Sequence, residues 1–199
     1  GEEPYSIAIL HHKLIPDVDA WNVTILATDI NPRFLQKAAQ GMYTEWSFRG
    51  VPEWIRERYF KVAKPGHFQI VTHIKKMVTF SYLNLAEDVY PALTNGTNAM
   101  DLIFCRNVLM YFSESCAQRV VENLRRALVD SGRLIVSPVE TSHTLFASFA
   151  SLGVPGVTLY GKTERVERRV RGYEHAMETL RWEPQTMEAE TAGREPTLE

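Results

Sequence analysis

Short apolar runs alternate with amphipathic stretches over most of the chain. Val23 to Thr28 and Leu102 to Cys105 are runs of the kind a parallel sheet buries on both faces. Helix-start signals follow each: Asn31-Pro32 opens a helix over Asn31 to Ala39 that Gly41 stops, and Ser113-Glu114 opens one over Glu114 to Val129 that Ser131-Gly132 ends. Ser6 to Lys13 and Val51 to Tyr59 read as helices, Leu134 to Ser137 as a strand, Ser142 to Leu152 as a helix and Val157 to Tyr160 as a closing strand. This alternation predicts a wound α/β sheet. The middle of the chain breaks the rhythm. Tyr59 to Val62, Phe68 to Ile74 and Met77 to Tyr82 read as short strands joined at Lys64-Pro65-Gly66 and Lys75-Lys76, which predicts a small antiparallel lobe, residues 59–82, inserted in the main sheet.

Beyond Lys162 the pattern changes. Val166, Val170, Tyr173, Met177 and Leu180 recur at heptad-like spacing, predicting an amphipathic helix over residues 163–182 that either pairs in a coil or packs on its own domain. Residues 183–199 are rich in glutamate and carry little that could build a core, which predicts a disordered tail or linker.

Composition narrows the function classes. At 199 residues the chain can bury one core and a small appendage, and its 45% hydrophobic and 23% charged content is ordinary for a globular protein. A net charge of −2 argues against nucleic acid or an anionic membrane as the main partner. No apolar run is long enough to span a bilayer and no signal peptide is visible, so the expected location is the cytoplasm. Cys105 and Cys116 read as buried reduced thiols, and the six histidines are scattered without partners at metal-ligand spacing.

The candidate chemistry lies where strands end. In Asp101 to Phe112 a buried-type strand runs directly into Arg106, Asn107 and Tyr111, at the carboxyl end where open α/β sheets bind ligands. Taken alone, Arg106-Asn107 is equally a polar turn. Asp29 ends the Val23 to Thr28 run, where a carboxylate can accept hydrogen bonds from both hydroxyls of a ribose.

Four segments in order, Gly1-Glu2-Glu3-Pro4-Tyr5-Ser6, Asp29, Asn84-Leu85 and Arg106 to Phe112, resemble the chemoreceptor glutamate methyltransferases of bacterial chemotaxis, the CheR type, from Gly1 to about Lys162. The resemblance implies a Rossmann-like, class I S-adenosylmethionine-dependent methyltransferase fold with an inserted antiparallel subdomain. It implies methyl esterification of glutamates on the cytoplasmic domain of chemoreceptors, with S-adenosylhomocysteine as product. It assigns Glu3, or in its place Glu2, to the methionine end of the cofactor, Asp29 to the ribose and Asn84 with Leu85 to the adenine. Arg106 and Asn107 would lie beside the cofactor, with Tyr111 directed at the methyl-transfer centre. In that family the first motif follows a first strand, a glycine-containing loop and a helical domain. The expectation is therefore a catalytic domain over residues 1–162 that is incomplete at its start and weak as an enzyme on its own. After the Leu134 to Ser137 strand the family carries a Gly-His-Ser-Glu-like turn, whereas here Ser137-Pro138-Val139-Glu140 keeps only the acid. The short Ala63 to His67 connection predicts an enzyme that does not use the receptor's C-terminal pentapeptide as a tether. The competing expectation is a catalytically silent module that binds a signalling partner.

Overall fold

The computed structural model of the protein describes residues 1–17 and 20–162. The expected helix over 163–182 and tail over 183–199 lie outside the described residues. Helix α1 (Glu2–Leu14) opens with Glu2 and Glu3 and closes with His11, His12 and Lys13, which matches charge to the helix dipole at both ends. Its Tyr5, Ala8 and Ile9 form the inward stripe. Strand β1 (Ile25–Asp29) leads to α2 (Pro32–Gln40), where the Asn31 side chain accepts the Arg33 backbone N–H at 3.0 Å and Pro32 takes a first-turn position. Gly41 then ends α2 with φ of 66°, and a Cβ there would lie 2.5 Å from Ile70 Cγ2, so both backbone and packing require glycine.

Strand β2 (Met42–Thr44), helix α3 (Glu53–Tyr59), strands β3 (Phe60–Lys64) and β4 (His67–Ile70) and the short helix α4 (Thr72–Lys76) follow, and then β5 (Val78–Tyr82). The second half consists of β6 (Met100–Cys105), α5 (Glu114–Ala127), β7 (Leu128–Val136), β8 (Ala150–Val154) and β9 (Val157–Gly161). Among the described residues the strands form three sheets: β1 with β5, parallel; β2-β4-β3, antiparallel; and β6-β7-β9-β8, in which β6 and β7 are parallel and the rest antiparallel.

The lobe boundary predicted from sequence is corrected. The antiparallel lobe takes Met42–Thr44 as its third strand, whereas Val78–Tyr82 lies outside it and pairs parallel with β1. A turn of helix over Thr72–Lys76 separates the two, so the apolar run from Phe68 serves two different sheets. The helix expected over Ser142 to Leu152 is also absent: Ala150–Val154 instead pairs antiparallel with β9. Two features favour the hairpin. Pro155-Gly156, with Gly156 at φ of 75°, suits a tight turn, and Phe146 stacks on Tyr160 of β9 at 4.4 Å between ring centroids.

Two hydrophobic clusters result. Tyr5, Ala8 and Ile9 of α1 pack with Tyr59, Ile70, Val71, Ile74 and Val78. The larger cluster joins Val120, Val121 and Leu124 of α5 to Leu128, Leu134 and Val136 of β7, with Leu83, Tyr90, Cys105 and Leu109. Fully burying each such aliphatic side chain contributes about 1.5–3 kcal/mol. Leu83 ties the second cluster back to the first sheet, because its backbone N–H donates to the Asp29 carbonyl at 3.2 Å.

Candidate functional site

The parallel strands deliver their chemistry at one kind of position, the carboxyl end. Asp29 is the last residue of β1 and stands in register with Tyr82, the last of β5; Asn84 comes two residues later. Arg106 follows Cys105, the last residue of β6, and Glu140 lies four residues beyond Val136, the end of β7.

Asp29 Oδ1 accepts the Asn31 backbone N–H at 2.7 Å, which orients the carboxylate and leaves Oδ2 outside that bond. The same carboxylate thereby braces the entry to α2, whose N-cap is Asn31. Glu3, in the first turn of α1, pairs with Arg106 through Oε1 and Nη1 at 2.7 Å across 103 positions of sequence. Each side chain is 44% exposed, so the ion pair itself adds at most about 1 kcal/mol. Its importance is positional: an exposed carboxylate and an exposed guanidinium lie side by side, complementary to the ammonium and carboxylate of an amino acid.

Asn84 is engaged locally. Its Oδ1 accepts the Ala86 N–H at 3.1 Å and its Nδ2 donates to Glu87 at 2.9 Å, a turn in which one amide N–H is used and the second is available to a ligand. Leu85 packs on the larger cluster, and its carbonyl accepts the Tyr90 hydroxyl at 3.2 Å. Tyr111 closes a 3₁₀ turn over Leu109–Tyr111 and is 81% exposed, so its phenol reaches into solvent on the same loop as Arg106. The structure thus brings Glu3 to Arg106, puts Asp29 beside the segment leading to Asn84, and carries Asn107 and Tyr111 on the Arg106 loop.

The least expected member is Glu140. It is 7% exposed, and its carboxylate accepts three successive backbone N–H groups: Asn107 on Oε2 at 2.6 Å, and Val108 and Leu109 on Oε1 at 2.6 and 2.7 Å. Asn107 adopts a left-handed φ of 57°, which lets the amides converge on one anion, and asparagine tolerates that conformation better than most residues. The acid at the end of Ser137 to Glu140 was the only signal of this in the sequence. Beside it the Cys105 thiol is pushed up to about 12, first by burial and then by Glu140 and Glu3, so it stays protonated and unreactive at neutral pH.

These residues and their order have relatives. Residues 1–167 match the family described as CheR methyltransferase, SAM binding domain. The chain belongs to this family. It is 33% identical over 149 residues to chemotaxis protein methyltransferase 2 of Vibrio cholerae, covering 75% of this chain and 51% of that protein. It is 33% identical over 142 residues to the chemotaxis protein methyltransferase of Borreliella burgdorferi, covering 71% and 49%. It is also 32% identical over 171 residues to the probable biofilm formation methyltransferase WspC of Pseudomonas aeruginosa, covering 86% and 39%. The chain therefore spans about half, or less, of the length of these curated relatives. Membership in the CheR family fixes the fold as a class I S-adenosylmethionine-dependent methyltransferase. The donor set suits that cofactor, with a carboxylate at a strand tip for the ribose and a paired carboxylate and guanidinium for the amino-acid end. No helix among the described residues is long and apolar enough to cross a membrane.

Proposed function

We propose that this chain is the catalytic part of an enzyme that methyl-esterifies glutamate side chains on the cytoplasmic domains of chemoreceptors, working in the cytoplasm. The observation that carries the proposal is the Glu3–Arg106 pair at the carboxyl ends of the parallel strands, in a chain whose order of motifs is that of the CheR family. S-adenosylmethionine, when bound, supplies an activated methyl group on a sulfonium that carries its own leaving group. An acceptor glutamate is ionised at neutral pH, so the protein needs no general base. Its residues have to align and to exclude water.

In this reading Asp29 holds the ribose hydroxyls, Glu3 the ammonium and Arg106 the carboxylate of the methionine end. The free amide N–H of Asn84 meets the adenine edge, with Leu85 against its face, and Asn107 shapes the loop. Tyr111, exposed on that loop, orients the acceptor carboxylate. After a bulge at Ala63, Lys64 pairs with His67 across the two-residue Pro65-Gly66 turn, and so short a connection supports docking that does not use a receptor C-terminal pentapeptide. Two of the relatives are named as probable biofilm formation methyltransferases, which leaves room for a signalling role besides chemotaxis.

The test is transfer of radiolabelled methyl groups to receptor-containing membranes. The expected product is label on the receptor that mild alkali releases as methanol, the behaviour of a carboxylate ester. Label that survives alkali would point to nitrogen or sulfur as acceptor. No transfer, with receptor still captured, would favour the silent binding module.

A further inference from the structure

We propose that Glu140 is a positioning residue of the methyl-transfer site, which it shapes by holding the backbone of the Arg106 to Tyr111 loop. The inference rests on the methyltransferase reading above for its catalytic consequence and on geometry alone for the clamp. A carboxylate that is 7% exposed is costly to bury unless its oxygens are matched by donors, and here every short contact comes from the same loop. The residues so held are Asn107, Val108 and Leu109, which lead from Arg106 into the turn that ends in Tyr111. The clamp also crosses between strands. Glu140 belongs to the connection after β7 and the loop to the connection after β6, so the spacing of Arg106 and Tyr111 is set by a neighbouring strand.

The division of labour between the two oxygens gives a specific test. Glutamine can present one oxygen to Val108 and Leu109, but its amide group then faces the Asn107 N–H, donor against donor. Glu140→Gln should free the amide of Asn107 while Val108 and Leu109 stay protected. It should also release the left-handed φ at Asn107 and let the turn carrying Tyr111 drift, while Arg106 keeps its ion pair with Glu3 and its place at the cofactor end.

The experiment combines amide hydrogen exchange by NMR with steady-state methyl transfer. In the wild type the amides of Asn107, Val108 and Leu109 should be protected. In Glu140→Gln the Asn107 amide should exchange at least tenfold faster, kcat should fall at least tenfold, and KM for S-adenosylmethionine should change by less than threefold. A purely structural role would lower the melting temperature without that split. If the glutamine variant does not fold, Glu140→Asp keeps the charge but withdraws it by one methylene. It should then expose all three amides and lower kcat in the same way. Unchanged protection of Asn107 overturns the clamp, and a freed Asn107 with wild-type kcat overturns the positioning role. Absence of methyl transfer in the wild type would sink the methyltransferase reading instead, and the exchange measurement would then decide the clamp by itself.

Discussion

In the proposed reading Asp29 and Tyr111 have different tasks, cofactor binding and acceptor orientation. Asp29 is anchored by the Asn31 N–H, and in that reading its carboxylate holds the ribose, so Asp29→Ala should weaken S-adenosylhomocysteine binding by about 1.5–3 kcal/mol, the range for hydrogen bonds to a charged group. Tyr111 is held through its backbone turn, its N–H donating to the Val108 carbonyl, and Tyr111→Phe should lower turnover more than cofactor affinity. Titration calorimetry and methyl-transfer kinetics check both; unchanged binding in the first or full activity in the second contradicts the role. Buried acids of high pKa make a further residue-level prediction. Burial pushes the Cys105 thiol up to about 12 and raises the phenols of Tyr5, Tyr43, Tyr90 and Tyr160. These groups stay neutral in the folded chain while their unfolded counterparts ionise from their reference values of 9.0 and 10.0 upward, so the unfolded state binds fewer protons there. Stability is fully present below pH 9.0 and declines as pH rises through the window up to the folded values, about 12 for Cys105. The urea midpoint should accordingly be lower at about pH 10.5 than at about pH 8.

At the level of elements, the turn between β8 and β9 separates backbone conformation from packing, because a Cβ on Gly156 would meet nothing within 4 Å. Gly156→Ala places a side chain at φ of 75° and should destabilise by roughly 1 kcal/mol, readable from urea unfolding. That hairpin is also where the sequence misleads. Ser142 to Leu152 mixes Phe146, Phe149 and Leu152 at helical spacing, but its end pairs with β9 and its two phenylalanines pack on Tyr160 of that strand. Phe68 to Tyr82 likewise reads as continuous strand material, because β-propensity does not say which sheet a strand joins; the partner β1 decides that. The elements with end signals were legible. Asn31-Pro32 and Gly41 bracket α2 as expected, and Leu102 to Cys105 is the parallel strand that delivers Arg106. Among the site residues, those at strand ends were legible by position. Glu140 was not, since an acid after a proline turn has no spacing that announces three backbone donors waiting for it.

Over the whole molecule, two hydrophobic clusters share no residue, and no strand pairing joins the β1–β5 sheet to the β6-β7-β9-β8 sheet among the described residues. The candidate cofactor residues come from both sides: Glu3 and Asp29 from the first cluster's elements, Arg106 and Tyr111 from the second's. A ligand gripping both sides acts as a cross-brace as well as a substrate. Binding at 100 times its dissociation constant would add about 2.7 kcal/mol to stability. Isothermal titration of the protein with S-adenosylhomocysteine is the most direct test of a cofactor site assembled in this way. The account predicts one site per chain with a dissociation constant of roughly micromolar order, weakened at least about tenfold in Asp29→Ala and in Arg106→Ala alike. Failure to bind at millimolar ligand, or binding indifferent to both substitutions, would contradict it.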